Sequence, residues 1–186
     1  MLLTQKNLLL ENAESTRLKF RKVRPSDKEA WMEFCSHPSS FDFLTFMKDG
    51  DPKIKCEAWF ERVFHRYENR LGGMNALIDK ASGALVGQCG LLVHTIDDKE
   101  ELEIGYSIMP RFREKGYATE AAMKCRDHAF ENNLSPSIIS IIHPGNIKSA
   151  AVAVNNGMRI KKQAMYNNTL MNIFAITKEE WSRRAK

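Results

Sequence analysis

The sequence predicts an α+β fold of interleaved strands and helices, and three observations carry that reading. Leu102, Ile104, Tyr106 and Ile108 alternate with Glu101, Glu103, Gly105 and Ser107, the period of a strand with one buried face. Beyond Gly116, the residues Ala118, Ala121, Ala122, Cys125 and Ala129 recur at helical spacing, which predicts a helix running to about Asn132. Turn signals at Lys80-Ala-Ser-Gly83 and at Asn167-Asn168 each separate two strand-like runs, so a hairpin is expected on either side of that central strand and helix.

From the N-terminus, residues 16–23 alternate as a strand, and Ser26 followed by Glu29 has the spacing of a capping box opening a helix to about Cys35. A polar loop with Pro and Asp follows. Ile54, Ala58, Phe60, Phe64 and Leu71 then predict a second helix over about 52–71, stopped by Gly72-Gly73. The first hairpin takes residues 74–79 and 85–94, and Pro110 ends the central strand. Ser137 to Ile142 is rich in β-branched residues, residues 147–156 read as a helix, and 159–166 with 170–176 form the second hairpin. Thr177 and Glu180 cap a last short helix. No repeat, linker or low-complexity tract interrupts the 186 residues, so one domain over 1–186 is expected.

Composition narrows the class of protein. With 43% hydrophobic and 27% charged residues the chain resembles a soluble globular protein rather than a disordered one. The early apolar run at Leu8 to Leu10 is too short for a membrane span, and no basic segment precedes a long apolar one. A cytoplasmic location with no membrane partner is expected. Cys35, Cys56, Cys89 and Cys125 stand far apart without a Cys-x-x-Cys or Cys/His cluster, so neither zinc nor a disulfide framework is indicated. The net charge of +5 comes from Lys and Arg scattered among acidic residues, which suits a polyphosphate-bearing cofactor better than nucleic acid.

The turn from Arg111 to Tyr117 joins the central strand to its helix, so it brings backbone N–H groups and a positive helix end to one point. Such a point suits a pyrophosphate. Gly116 is followed by Tyr117 and Ala118, so the Lys-Ser/Thr ending of a nucleoside-triphosphatase loop and the three-glycine dinucleotide fingerprint are both excluded.

The run Arg113-Glu114-Lys115-Gly116-Tyr117-Ala118 resembles the Arg/Gln-x-x-Gly-x-Gly/Ala loop of the GNAT N-acetyltransferase superfamily. Glu-Ile-Gly-Tyr before it, Ala-Thr-Glu-Ala after it, and Asn146-x-x-Ser149 followed by Asn156-Gly157-Met158 resemble the branch of the ribosomal-protein N-terminal acetyltransferases. The likeness implies a mixed, mostly antiparallel sheet with a splayed central strand pair and flanking helices. It also implies acetyl-CoA as cosubstrate, no metal, an amine acceptor, and a monomer or homodimer. The cofactor would lie against the backbone at Ile108 and Met109, the loop residues Arg113, Glu114, Lys115, Gly116, Tyr117, Ala118 and Thr119, and Asn146 and Ser149. The same fold would also serve a non-catalytic acyl-CoA-binding sensor that keeps the cofactor site, or an interaction module with an empty turn.

Acetyl transfer needs a neutral amine. An α-amino group with a pKa of about 7.7–8.0 is about a tenth neutral at pH 7, whereas a lysine near 10.4 is less than about a thousandth neutral. Glu103, on the polar face of the central strand, is the candidate base. The tyrosine that many GNAT enzymes use as acid is replaced by Ala153, and position points to Ser149 instead, with cofactor binding or helix capping as its alternative roles and Tyr166 as a more remote acid. Glu114 stands where the branch often has glycine, and an acidic side chain there faces phosphate unless it turns outward. Phe41 to Asp51, with Phe41, Phe43, Phe46 and Met47, is the expected acceptor-facing segment, and core filling is the alternative role of its aromatic residues.

Overall fold

The computed structural model describes residues 7–45 and 50–184. Its strands are β1 (Leu18–Lys22), β2 (Gly72–Asp79), β3 (Leu85–Ile96), β4 (Lys99–Ile108), β5 (Ser137–Ile142), β6 (Arg159–Tyr166) and β7 (Thr169–Thr177). Its helices are α1 (Lys28–Ser36), α2 (Pro52–Glu68), α3 (Tyr117–Glu131), α4 (Ile147–Asn155) and α5 (Lys178–Arg184). The strands form one sheet in the order β1-β2-β3-β4-β5-β7-β6, antiparallel except for the β4/β5 pair. This is the mixed, helix-flanked sheet the sequence led us to expect.

The alternation of β4 explains the layering. Leu102, Ile104 and Ile108 pack with Ala121, Ala122, Cys125 and Ala129 of α3, whose small residues let the helix lie close to the sheet. The opposite face is covered by α1 and α2 through Trp31, Phe34, Trp59 and Phe60, packed with Met74, Leu85 and Leu92. All four cysteines are buried and free, and burial pushes the thiols of Cys35, Cys56 and Cys89 up, so these three are structural rather than nucleophilic. No helix among the described residues is long and apolar enough to cross a membrane.

Three local expectations change. The Ser26–Glu29 capping box does not form. The chain enters α1 through a single 3₁₀ turn at Pro25–Asp27, where Asp27 accepts the Arg24 N–H at 2.8 Å and two Arg21 bonds at 2.7 Å. A bidentate Arg–carboxylate pair outcompetes a serine cap. At the other end, Thr177 and Glu180 do cap α5 reciprocally, at 2.8 and 3.2 Å. The Gly72-Gly73 pair lies inside β2 rather than merely ending α2: Gly72 has φ +70, and a Cβ there would lie 2.1 Å from the Leu91 carbonyl oxygen. The third change is a hairpin turn at Asp97-Asp98, with φ +49 and +59, which joins β3 directly to β4.

Candidate active site

Two features of the fold meet at the centre of the sheet. The first is the turn before α3. Gly116 has φ +81 and precedes Tyr117, the first helical residue. The N–H groups of Gly116, Tyr117, Ala118 and Thr119 meet no acceptor among the described residues, as expected at an uncapped helix start. With the helix dipole behind them, such free N–H groups suit an anion. Glu114, at φ +62, turns outward and pairs with Lys148 of α4, so its charge leaves the anion position.

The basic side chains of the loop divide into two groups. Arg113 is spent on the fold: its Nε donates to the Ile108 carbonyl at 3.1 Å, and its Nη atoms to Ser39 and Ser40 at 3.0 and 2.8 Å. Arg111 pairs with Glu33 at 3.0 Å. Lys115 remains exposed beside the turn. Sequence reasoning missed Arg17, whose Nη1 donates to the Lys115 carbonyl at 3.0 Å while its guanidinium lies 4.4 Å from the Tyr117 ring centroid. Glu120 fixes Arg17 through a 2.7 Å ion pair and also accepts the Ser15 hydroxyl, so its role is structural. Tyr117 is anchored by Asp79 at 3.0 Å.

The second feature is a gap between β4 and β5. Their parallel pairing is confined to Glu103 opposite Ile139. Side chains cross the opening beyond it: the Ser140 hydroxyl donates to the Ile104 carbonyl at 2.9 Å, and the Ile141 N–H donates to Glu103 Oε1 at 3.3 Å. Met109 does not present its backbone to the gap, because its N–H donates to Val86 at 3.0 Å and its carbonyl accepts Phe112 at 2.9 Å. Ile108 keeps only its N–H for a ligand, since its carbonyl is taken by Arg113. With the strand period, the open backbone therefore centres on Tyr106.

A cavity of about 200 Å³ opens from this gap toward α2 and the β6/β7 hairpin. Glu103, Tyr106, Asn146 and Ser149 line it, together with His94 and Tyr166, which sequence analysis left aside or ranked as remote. Asn146 caps α4 by accepting the Ser149 N–H at 3.1 Å, and the Ser149 carbonyl accepts the Tyr106 hydroxyl at 2.8 Å. Ala153, at the position of the missing tyrosine, is buried in the core. His143 is a loop residue whose Nδ1 accepts the Gly145 N–H at 3.0 Å and whose ring lies against Phe43. Phe43 lines the cavity and Phe41 fills the core beside α1 and α2, while Phe46 and Met47 lie outside the described residues.

The chemical centre of the cavity is a chain of three side chains. His94 Nε2 lies 2.8 Å from Glu103 Oε2, and the Tyr166 hydroxyl lies 3.0 Å from His94 Nδ1. Burial pushes the Glu103 carboxyl up, but His94, the Ile141 N–H and Arg66 outweigh it and hold it below its ordinary value. Glu103 is therefore ionised at neutral pH. In the neutral imidazole, Nε2 then donates to Glu103 and Nδ1 accepts the Tyr166 hydroxyl. Burial and the nearby Glu103 charge raise the Tyr166 hydroxyl despite Arg62 and Arg66.

Residues 17–159 match the family model described as an acetyltransferase (GNAT) domain. The chain belongs to the GNAT acetyltransferase family. This GNAT chain is 38% identical over 124 residues, 65% of its length and 70% of the relative, to the uncharacterized protein YkkB of Bacillus subtilis strain 168. The crystal structure of an acetyltransferase from Agrobacterium tumefaciens C58 superposes with a TM-score of 0.74 at 24% identity, covering 92% of this chain and 98% of that one. RimL, the ribosomal L7/L12 α-N-protein acetyltransferase solved in complex with coenzyme A, superposes with a TM-score of 0.72 at 15% identity, over 89% and 97% of the two chains. At such identities the likeness to the two solved structures concerns the fold, and the family uses acetyl-CoA as acyl donor. The uncapped α3 turn and the open β4 edge are the features of this chain that fit such a donor: the first suits a pyrophosphate, the second an extended amide-bearing arm added as a strand.

Proposed function

We propose that this GNAT enzyme transfers an acetyl group from acetyl-CoA to a primary amine by direct attack within a ternary complex. The observation that carries the reading is the single cavity in which the β4/β5 gap meets the Glu103–His94–Tyr166 chain. When bound, acetyl-CoA supplies a thioester carbonyl for the amine and a thiolate leaving group. Gly116, Tyr117, Ala118 and Thr119 would hold the pyrophosphate through N–H groups, with Arg17 and Lys115 adding positive charge. Tyr106 and Ile108 would present backbone groups to the pantetheine arm, with Asn146 and Ser149 across the slot.

Glu103 has both carboxylate oxygens engaged and is a weaker base than an ordinary glutamate. Its role is better described as positioning. It holds His94 in the tautomer that accepts from Tyr166 and stabilises the imidazolium formed when the amine proton arrives through the Tyr166 hydroxyl. This division of labour parallels a Ser-His-Asp arrangement, with tyrosine as the outer hydroxyl. Placing both reactants in one cavity lowers the barrier by itself, and proton transfer adds roughly 10²- to 10⁴-fold.

Ser149 lines the pantetheine side and is our candidate proton donor to the departing thiolate. Ser149→Ala is expected to lower kcat by about tenfold or more with CoA affinity within about twofold. Turnover measured beside calorimetric CoA titration checks this. A parallel loss of affinity would reassign the hydroxyl to cofactor positioning, and wild-type values for both would remove it from the site.

The proposed function is tested by acetyl-CoA-dependent thiol release over a panel of amines and N-terminal peptides, with products identified by mass. Transfer to any amine supports it. Tight CoA binding without turnover would instead identify a sensor, and absence of CoA binding an interaction module.

A further inference from the structure

Two arginines line the cavity beside the catalytic chain, and one of them, Arg62, contacts Tyr166. Arg62 and Arg66 occupy adjacent turns of α2, both line the cavity, and Trp59 and Val63 of the same helix line it between apolar neighbours. Arg66 is only 8% exposed. Its Nη2 donates to the carbonyls of Leu71 and Val93 at 2.8 and 2.7 Å and its Nε has no acceptor, while Glu103 acts on it through space rather than in a direct ion pair. Burial pulls its pKa down, which expresses the cost of keeping that charge from water. Glu103, the carboxylate of this cavity, is already engaged by His94 and the Ile141 N–H.

The cavity lining thus sets two guanidinium groups against one carboxylate, Glu103, which is itself held by His94 and the Ile141 N–H, and this positive excess suits an anion from outside. We infer that the acceptor amine carries a carboxylate a few atoms from its nitrogen, and that Arg66, with Arg62 beside it, receives that carboxylate. This inference rests on the proposed acetyl transfer and specifies its substrate class. The cavity is then complementary to a zwitterion. In this reading Glu103 and His94 would take the ammonium group, and the guanidinium groups, with the planar donor geometry that suits a carboxylate, would take the other end. Bound this way, the amine is turned toward the thioester and a neutral amine of the same size has nothing to fix its orientation. A free amino acid and a peptide with an acidic residue near its N-terminus both present this chemistry.

The test uses acceptor pairs that differ only in charge. L-Serine is compared with L-serinamide, and peptides beginning Ser-Asp with peptides beginning Ser-Asn, at fixed acetyl-CoA. Wild-type enzyme is expected to favour the carboxylate member of at least one pair by tenfold or more in kcat/KM. Preference in the first pair identifies a free amino acid, and preference in the second an acidic N-terminus. The peptide pair has nearly equal amine pKa values, so its ratio reports recognition rather than nucleophile supply. In R66Q and in R62Q the ratio should fall to within about threefold of unity, chiefly through KM. R62Q leaves the Leu71 and Val93 brace in place and therefore remains informative should R66Q fail to fold. Turnover of the neutral members with no carboxylate preference would overturn the inference alone, as would an unchanged ratio in a folded R62Q or R66Q enzyme. CoA binding without turnover of any amine would overturn the proposed function and this inference together.

Discussion

Gly116→Asp is expected to weaken CoA binding by more than tenfold in Kd while leaving the protein folded. Two effects act in the same direction. Gly116 sits at φ +81, where a non-glycine residue carries backbone strain of roughly 1–3 kcal/mol. Space is not the obstacle, because the nearest atom to a Cβ there is Arg17 Nη2 at 3.4 Å. That neighbour supplies the second effect: a carboxylate at this position would pair with Arg17 and place negative charge where phosphate is expected. A tenfold change corresponds to about 1.4 kcal/mol, well within what a displaced charge-assisted contact costs. Gly116→Ala separates the two effects, since it keeps the strain and omits the charge, and its loss should be smaller. Calorimetric titration with CoA checks both variants, with the thermal midpoint as a control for folding. An unchanged affinity in folded Gly116→Asp would place the pyrophosphate elsewhere.

How much of this site could be read from the chain depends on whether the signal is local. The α3 turn was legible because strand period, glycine and helix period follow one another within residues 101–122. The second hairpin was legible for the same reason, with Asn167 and Asn168 at φ +47 and +58. The β4/β5 gap is not a local property: the alternation of β4 states which side chains are buried and is silent on which neighbour its backbone pairs with. His94 and Tyr166 lie 72 residues apart and meet through the sheet order, and neither sits in a motif. Arg66 carries no local signal in the sequence, and only its burial against Leu71 and Val93 distinguishes it. Arg113 shows the opposite case. A basic residue at the head of a phosphate loop invites a ligand role, yet tertiary packing gives its donors to Ile108, Ser39 and Ser40.

Glu103→Gln should lower kcat by roughly 10²-fold near neutral pH while leaving CoA affinity unchanged. The amide oxygen can still accept from His94 Nε2, though the amide nitrogen can no longer accept the long Ile141 N–H bond, and the group carries no charge to stabilise an imidazolium. The sign of the pH dependence follows from the direction of the shift. The Glu103 carboxyl is held below its ordinary value in the folded protein, so its stabilising charge is present above that range and is lost only as pH falls through the lowered value. Across about pH 6.5–9 Glu103 is therefore ionised throughout, and its own titration contributes no slope. The slope comes from the acceptor: as an α-amine with a pKa near 7.7–8.0 becomes neutral, less proton removal is asked of the enzyme, and the deficit of Glu103→Gln should shrink toward pH 9. Tyr166→Phe tests the same chain from its other end. It removes the hydroxyl that contacts His94, and its loss should resemble that of Glu103→Gln. The double variant should be little worse than either single one, because the three side chains act as a unit. Rates for the four proteins measured across this pH range decide the matter. If kcat of Glu103→Gln matches wild type at every pH, the Glu103–His94–Tyr166 chain is a structural network and the amine loses its proton directly to solvent.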